Sequence, residues 1–372
     1  MYEQIREDTL YIMLYAVVTA TALIASCYLL FRRANAIAPD ITPSLRLRRW
    51  TAAFFAVFVL NHLWYMLPLF FLTSSEDIKL TNLAGGLLDS ITFFPLAIIV
   101  LLTMLQDRQR PLWPVWAMVM PVVVGMVWCV ISQSDALLPI LIAYLLLMSI
   151  GLTIYMVRAL RQYGRWLRDN YADLEHKEVW QSFVVLAVML LVFGSYMLSE
   201  NASAYEYVLQ LVVIVLVVYL IWRVETLSDL SISQQQDLPA DLDNINKDES
   251  NGGQNDLTDN IERLLQKYCI DTQLYLQHDL NLPQLAKAVG INRFYLSKYF
   301  SSKEMNYNTY INDLRINHFI SLFREAVATH RSFTIQELAN DSGYRSYSTF
   351  NSAFKKHMGH TVNAWAKLQN LQ

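Results

Sequence analysis

The chain has 372 residues, of which 54% are hydrophobic and only 16% charged, with a formal net charge of −3 and a mean hydropathy of +0.26. This composition argues against a single water-soluble globular domain and directs attention to membrane segments. The charge is uneven: residues 226–256 carry 1 Lys+Arg against 7 Asp+Glu, whereas residues 257–372 carry 13 against 9 and five of the seven histidines. The predicted organisation is therefore an apolar domain over 1–225, an acidic flexible linker over 226–256 and a mildly basic, soluble tail over 257–372. Three cysteines, Cys27, Cys129 and Cys269, show no CxxC pair or metal-ligand spacing and read as packing residues, so neither a metal nor a cofactor is expected.

A membrane-spanning helix needs about 20 apolar residues. Seven segments are predicted to qualify: Thr9–Phe31, Trp50–Thr73, Ala84–Leu105, Trp113–Ile131, Ala136–Val157, Trp180–Leu198 and Ala204–Val224. The loops after the first, third and fifth contain 12 Lys and Arg, while the amino terminus and the remaining loops between spans contain only Arg6 and Lys79. Basic residues stay on the cytoplasmic side, which places the amino terminus outside and, after seven crossings, the tail inside. Trp50, Trp113, Trp180 and Trp222 fall at span ends, where interfacial anchors belong.

Polar side chains within spans are costly and are the natural candidates for sensing. They are Asn61 and His62 in the second span, Asp89 in the third, and Glu206 with Gln210 in the seventh. His62 has two readings, a protonation sensor or an interhelical hydrogen bond that fixes packing. Asp89 and Glu206, nearer the outer surface, are candidates for a ligand-accessible cleft. The seventh span has no lysine for a retinal Schiff base, and the outer loops are too short for a folded sensor domain, so any signal must reach the bundle itself.

The tail reads as short helices in two similar units. Leu282–Gly290 has Pro283 in its first turn and Gly290 at its end; Ile291 and the N-cap Asn292 then lead into RFYLSKYF, with Leu296 and Phe300 inward. Thr334–Gly343 is followed by Tyr344, Arg345, the N-cap Ser346 and YSTFNSAFKKHMG. Between them a helix over about 307–329, with Ile311, Leu314, Phe319, Leu322, Phe323 and Val327 as apolar positions, would be about 30 Å long. That length would set two recognition helices in successive major grooves of DNA. Arg293, Ser297, Lys298 and Asn351 are suited to base edges, and Arg345, Lys355 and Lys356 to phosphates.

In these residues the tail resembles the DNA-binding domain of AraC-type bacterial transcription regulators. The likeness covers about 258–368 and is carried by LAKAVGINRFYLSKYF, then Tyr310, Leu314 and Arg315, and by GYRSYSTFNSAFKKHMG. It implies base contacts at Phe294, Ser297 and Lys298 in the first unit and at Tyr347, Ser348, Asn351 and Ser352 in the second. Two departures stand out: Thr361-Val362 and Trp365-Ala366 replace the usual Thr-Pro and Tyr-Arg, and the turn from Ser301 to Asn306 lacks the customary Gly.

The expected fold class is all-α: a seven-helix transmembrane bundle plus a cytoplasmic helical domain with two helix-turn-helix units. The expected function is a one-component transcription regulator in the bacterial cytoplasmic membrane, its partners promoter DNA, the lipid bilayer, a second copy of itself and an unidentified signal. The alternative is a transporter or channel with a regulatory tail, although no internal repeat supports it. Phosphate-binding, zinc-protease and nucleophile-elbow motifs are missing from the sequence, so no enzyme is expected.

Overall fold

In the computed structural model of the protein, the described residues are 8–39, 41–71, 74–132, 136–185, 187–188, 202–230 and 254–369. They are helical, with no strand among them beyond two isolated bridges. The chain forms two compact units, 1–161 with 179–230, and 162–178 with 231–372.

In the first unit, α1 spans Thr9–Phe31, α2 Leu45–Phe70, α3 Ser75–Ile91, α4 Phe93–Met104, α5 Trp113–Ser132 and α7 Ala202–Thr226; α6, Leu138–Asn170, starts here and runs on into the second unit. Among the described residues, four stretches are long and apolar enough to cross a membrane: Thr9–Phe31, Ala84–Met104, Pro139–Asn170 and Tyr207–Thr226. The expected sixth span is helical over 180–185 and 187–188, and the rest of it lies outside the described residues. Pro95 explains the break in the expected third span. It has no N–H to give the Ile91 carbonyl, and the helix is interrupted at Thr92 and restarts with Pro95 in its first turn, where no such bond is required.

The faces of α1 invert the water-soluble pattern. Inward lie Tyr11, Tyr15, Val18, Ala22, Ala25, Ser26 and Leu29, mostly small or polar-tipped. Outward lie Leu10, Met13, Val17, Ile24 and Phe31, with Cys27, which is exposed and not a packing residue of this unit. Small residues let α1 and α2 approach so closely that the Ser26 hydroxyl donates to the Ala52 carbonyl at 2.8 Å. At the far end of α1, Arg48 and Glu225 form a fully buried pair at 3.0 Å. Glu225 also accepts from the Tyr28 hydroxyl and the backbone N–H groups of Ala36 and Ile37, and Arg48 donates to Asn35 and the Arg32 carbonyl. Both charges thus have further hydrogen-bond partners, which a buried pair requires, although the Arg48 Nε is left without one among the described residues. The first residues of the expected linker are fixed here too: Gln106 bonds both Ser228 and Leu230, and Leu227 and Leu230 are buried.

The second unit contains α8 (Gln254–Leu265), which continues as a π turn over Gln266–Ile270, then α9 (Leu282–Val289), α10 (Arg293–Ser302), α11 (Tyr307–Ala328), α12 (Ile335–Asp341), α13 (Tyr347–Met358) and α14 (Val362–Gln369). Helix α11, about 33 Å long, divides two cores. Its first half packs Tyr307 and Ile311 with Cys269, Leu285, Leu296 and Phe300. Its second half packs Ile316, Phe319 and Phe323 with Tyr344, Phe350, Phe354 and Trp365. Val327, expected among the inward positions of this helix, is exposed. Burial pushes the Cys269 thiol up to about 12, consistent with a packing residue. Between the cores lies Arg315, 1% exposed, which donates to the carbonyls of Tyr275 and Gln277 at 2.7 Å and faces the Tyr344 ring at 5.5 Å.

Candidate nucleic-acid interface

Each unit begins with the same local chemistry. The Asn281 side chain accepts from the Gln284 N–H while Gln284 reaches back to the Asn281 N–H, and Thr334 and Glu337 do the same, so both α9 and α12 start in capping boxes. These bonds hold the Glu337 carboxyl below the usual glutamate range. The turns that follow are also alike: Gly290 and Gly343 take left-handed conformations, and the next N–H bonds back to Ala286 and Ala339 respectively. The recognition helices α10 and α13 are then started by Asn292 and Ser346, whose side chains accept from the N–H of Phe294 and Thr349.

This construction sets the outward faces. Leu296, Tyr299 and Phe300 anchor α10, leaving Arg293, Phe294 and Lys298 exposed and Ser297 partly exposed. Phe350 and Phe354 anchor α13, leaving Ser348, Ser352, Lys355 and Lys356 exposed and Asn351 partly exposed, with Arg345 exposed in the turn before it. Positions 348, 351, 352 and 355 share one face by helical spacing. Tyr347 is half-buried against the second core, with its ring 6.1 Å from that of Phe350, so it is partly occupied in packing. Where the customary Gly is missing after α10, Glu304 itself adopts the left-handed conformation, and Met305 N–H closes the same bond to Phe300. The altered turn thus repeats the left-handed residue and the backbone bond seen after α9 and α12. Trp365, the other departure, fills the second core beside Phe354 and Phe323.

Residues 285–367 match a family described as a helix-turn-helix domain. This segment is a helix-turn-helix domain of the AraC type. Comparison with curated proteins and with solved structures gives no significant match.

The AraC-type domain has neighbours that the sequence did not flag. The segment 162–178, which ends α6 and the turn after it, belongs to the same compact unit. Ala172 is buried in the first core, and its carbonyl accepts from the side-chain amides of Asn308 and Asn312 at 2.6 and 3.1 Å. The Tyr171 backbone pairs with Asn281. Asn170 accepts from Arg293 at 2.6 Å, and the Glu175 carboxylate accepts from the hydroxyls of Ser346 and, at 2.6 Å, Thr349. Burial pushes the Glu175 carboxyl up, but those hydroxyls, with His176 and Lys177 nearby, leave it below the ordinary glutamate range and hence ionised at neutral pH.

In the first unit of the chain, the structure brings His62 and Gln210 together. The His62 ring stacks on Tyr15 at 3.5 Å, its Nδ1 lies 2.7 Å from the Thr19 hydroxyl, and its Nε2 lies 3.5 Å from the Gln210 amide. Asp89 belongs to a separate cluster, accepting from Asn61 at 2.6 Å and Tyr65 at 2.7 Å. The side chain of Glu206 lies outside the described residues.

Proposed function

We propose that this chain is a membrane-embedded one-component transcription regulator, whose tail binds promoter DNA under the control of the bundle. One observation carries the reading. A domain with two like-built helix-turn-helix units, each presenting a polar and cationic face, is joined to helices that turn their large apolar side chains outward. A patch that large is matched to hydrocarbon rather than water. In this reading seven helices cross the bacterial cytoplasmic membrane with the amino terminus outside and the tail in the cytoplasm.

Arg293, Phe294, Ser297 and Lys298 read one major groove and Tyr347, Ser348, Asn351 and Ser352 the next, while Arg345, Lys355 and Lys356 hold phosphates. The tail's modest positive charge favours binding as a homodimer, which doubles the phosphate contacts. His62 with Gln210, Asp89 and Glu206 are the places where a signal enters the bundle. His62 is stacked and bonded at both ring nitrogens, which favours its packing role over free protonation.

The test is selection from randomised DNA duplexes by the full-length protein in lipid nanodiscs. Enrichment of a motif with two blocks one helical turn apart is the expected result. Recovery of no motif, or a chain that purifies as a water-soluble protein without lipid, would overturn the reading.

A further inference from the structure

The DNA-reading surface is not open along its whole length. The ends of the recognition helices that contact base edges in helix-turn-helix proteins are their amino-terminal ends. In this molecule both of those ends are engaged by one segment of the same chain. Arg293, the first residue of α10, donates its guanidinium to Asn170, and Ser346 and Thr349, at the start of α13, donate to the Glu175 carboxylate. Between those two arms the segment is fastened to the domain by Ala172 in the first core and by the Asn308 and Asn312 amides on its carbonyl.

We propose that residues 162–178 form an autoinhibitory strap that competes with DNA for the AraC-type domain, with Glu175 standing in for a backbone phosphate. The chemistry matches at each arm. A helix amino terminus with free hydroxyl donors is a favourable place for an anion, and the Glu175 carboxylate takes the place that a phosphate oxygen would otherwise occupy. Arg293 is suited to a phosphate or base edge, and while its NH2 group is bonded to Asn170 it is held away from either. The strap must therefore leave, or shift at both arms, before the two recognition helices engage a duplex together. It is also the direct continuation of α6, whose amino-terminal part is one of the long apolar helices. A displacement of that helix along or about its axis is passed to the strap by the covalent chain, with no need for the expected linker over 226–256 to transmit anything.

This inference rests on the DNA-binding reading above, and the experiment separates the two. In full-length protein in nanodiscs, Glu175→Cys with Thr349→Cys puts one thiol on the strap and one on α13, on either side of the contact that a 2.6 Å hydrogen bond now makes, and formation of the disulfide is verified by mass spectrometry before binding is measured. Binding to the duplex recovered by selection is measured with the pair oxidised and again after reduction. The oxidised form is expected to bind at least roughly tenfold more weakly, with recovery on reduction. A second variant, Glu175→Gln, keeps the size but removes the charge, and is expected to bind DNA more tightly than the parent, severalfold or more. Equal binding by the oxidised and reduced forms, or weaker binding by Glu175→Gln, would overturn the strap. Loss of binding in the parent, in Glu175→Gln and in the reduced and oxidised forms alike would overturn the DNA-binding reading, and the strap with it.

Discussion

The two helix-turn-helix units share a plan, and their contrast shows which parts of that plan tolerate substitution. Each has a capping box, a left-handed residue in the turn and a polar N-cap on the recognition helix. They differ in what surrounds the turn. A Cβ at Gly290 would enter open space, whereas one at Gly343 would lie 2.8 Å from the Leu276 carbonyl oxygen and 3.1 Å from Arg315 Nε. The second turn is thus pressed against the segment on which Arg315 is anchored, and the first is not. Glycine in the first turn serves only its backbone conformation; glycine in the second also serves a close approach.

The largest effect should follow from Gly343→Ala, which combines backbone strain with a backbone clash and is expected to cost about 3 kcal/mol or more in the stability of α12 and α13. Gly290→Ala, strained but unobstructed, should cost about 1–2 kcal/mol in α9 and α10. Hydrogen exchange of the four helices in the full-length protein measures both, and equal costs would erase the distinction between the turns.

Next in size is recognition itself. Lys298→Ala and Asn351→Ala should each weaken specific DNA binding by about 1–3 kcal/mol if both units read bases, while leaving helix protection unchanged. A loss confined to Asn351→Ala would assign sequence reading to the second unit alone. Smaller still is the turn after α10, where Glu304→Gly should stabilise the first unit by about 1 kcal/mol by relieving a left-handed non-glycine residue. No gain there would mean that the Glu304 side chain makes a compensating contribution. Asn281→Ala and Thr334→Ala, each removing one half of a capping box, should cost about 1 kcal/mol, alike in both units because the boxes are alike.

Much of this was legible in the sequence because it is local. The glycines at 290 and 343 and the N-caps Asn292 and Ser346 act over three or four residues; the capping boxes of Asn281 with Gln284 and Thr334 with Glu337 emerge only in the structure. In the bundle, the first span matched its helix from Thr9 to Phe31. The fifth did not. Hydropathy stops at Arg158, but Arg, Leu and Ala are good helix formers, so the helix continues to Asn170 as an amphipathic stretch that buries Ala159, Tyr163 and Leu167. What the sequence could not yield was the strap. The partners of Asn170 and Glu175 lie 123 and 171 residues away, and Glu175, one of four carboxylates with Asp169, Asp173 and Glu178 beside four arginines and a lysine, reads as ordinary loop charge balance. Likewise, Gln106 reaching Ser228 and Leu230 fixes the start of a segment whose composition alone reads as coil.

Whether one membrane-held chain recognises DNA directly is tested by genome-wide occupancy of the full-length protein recovered from washed, crosslinked membranes. The expected result is a small set of discrete promoter sites, each with two blocks about one helical turn apart, and their loss in Lys298→Ala with Asn351→Ala. Occupancy without discrete sites, or sites that persist unchanged in that double variant, would contradict direct recognition.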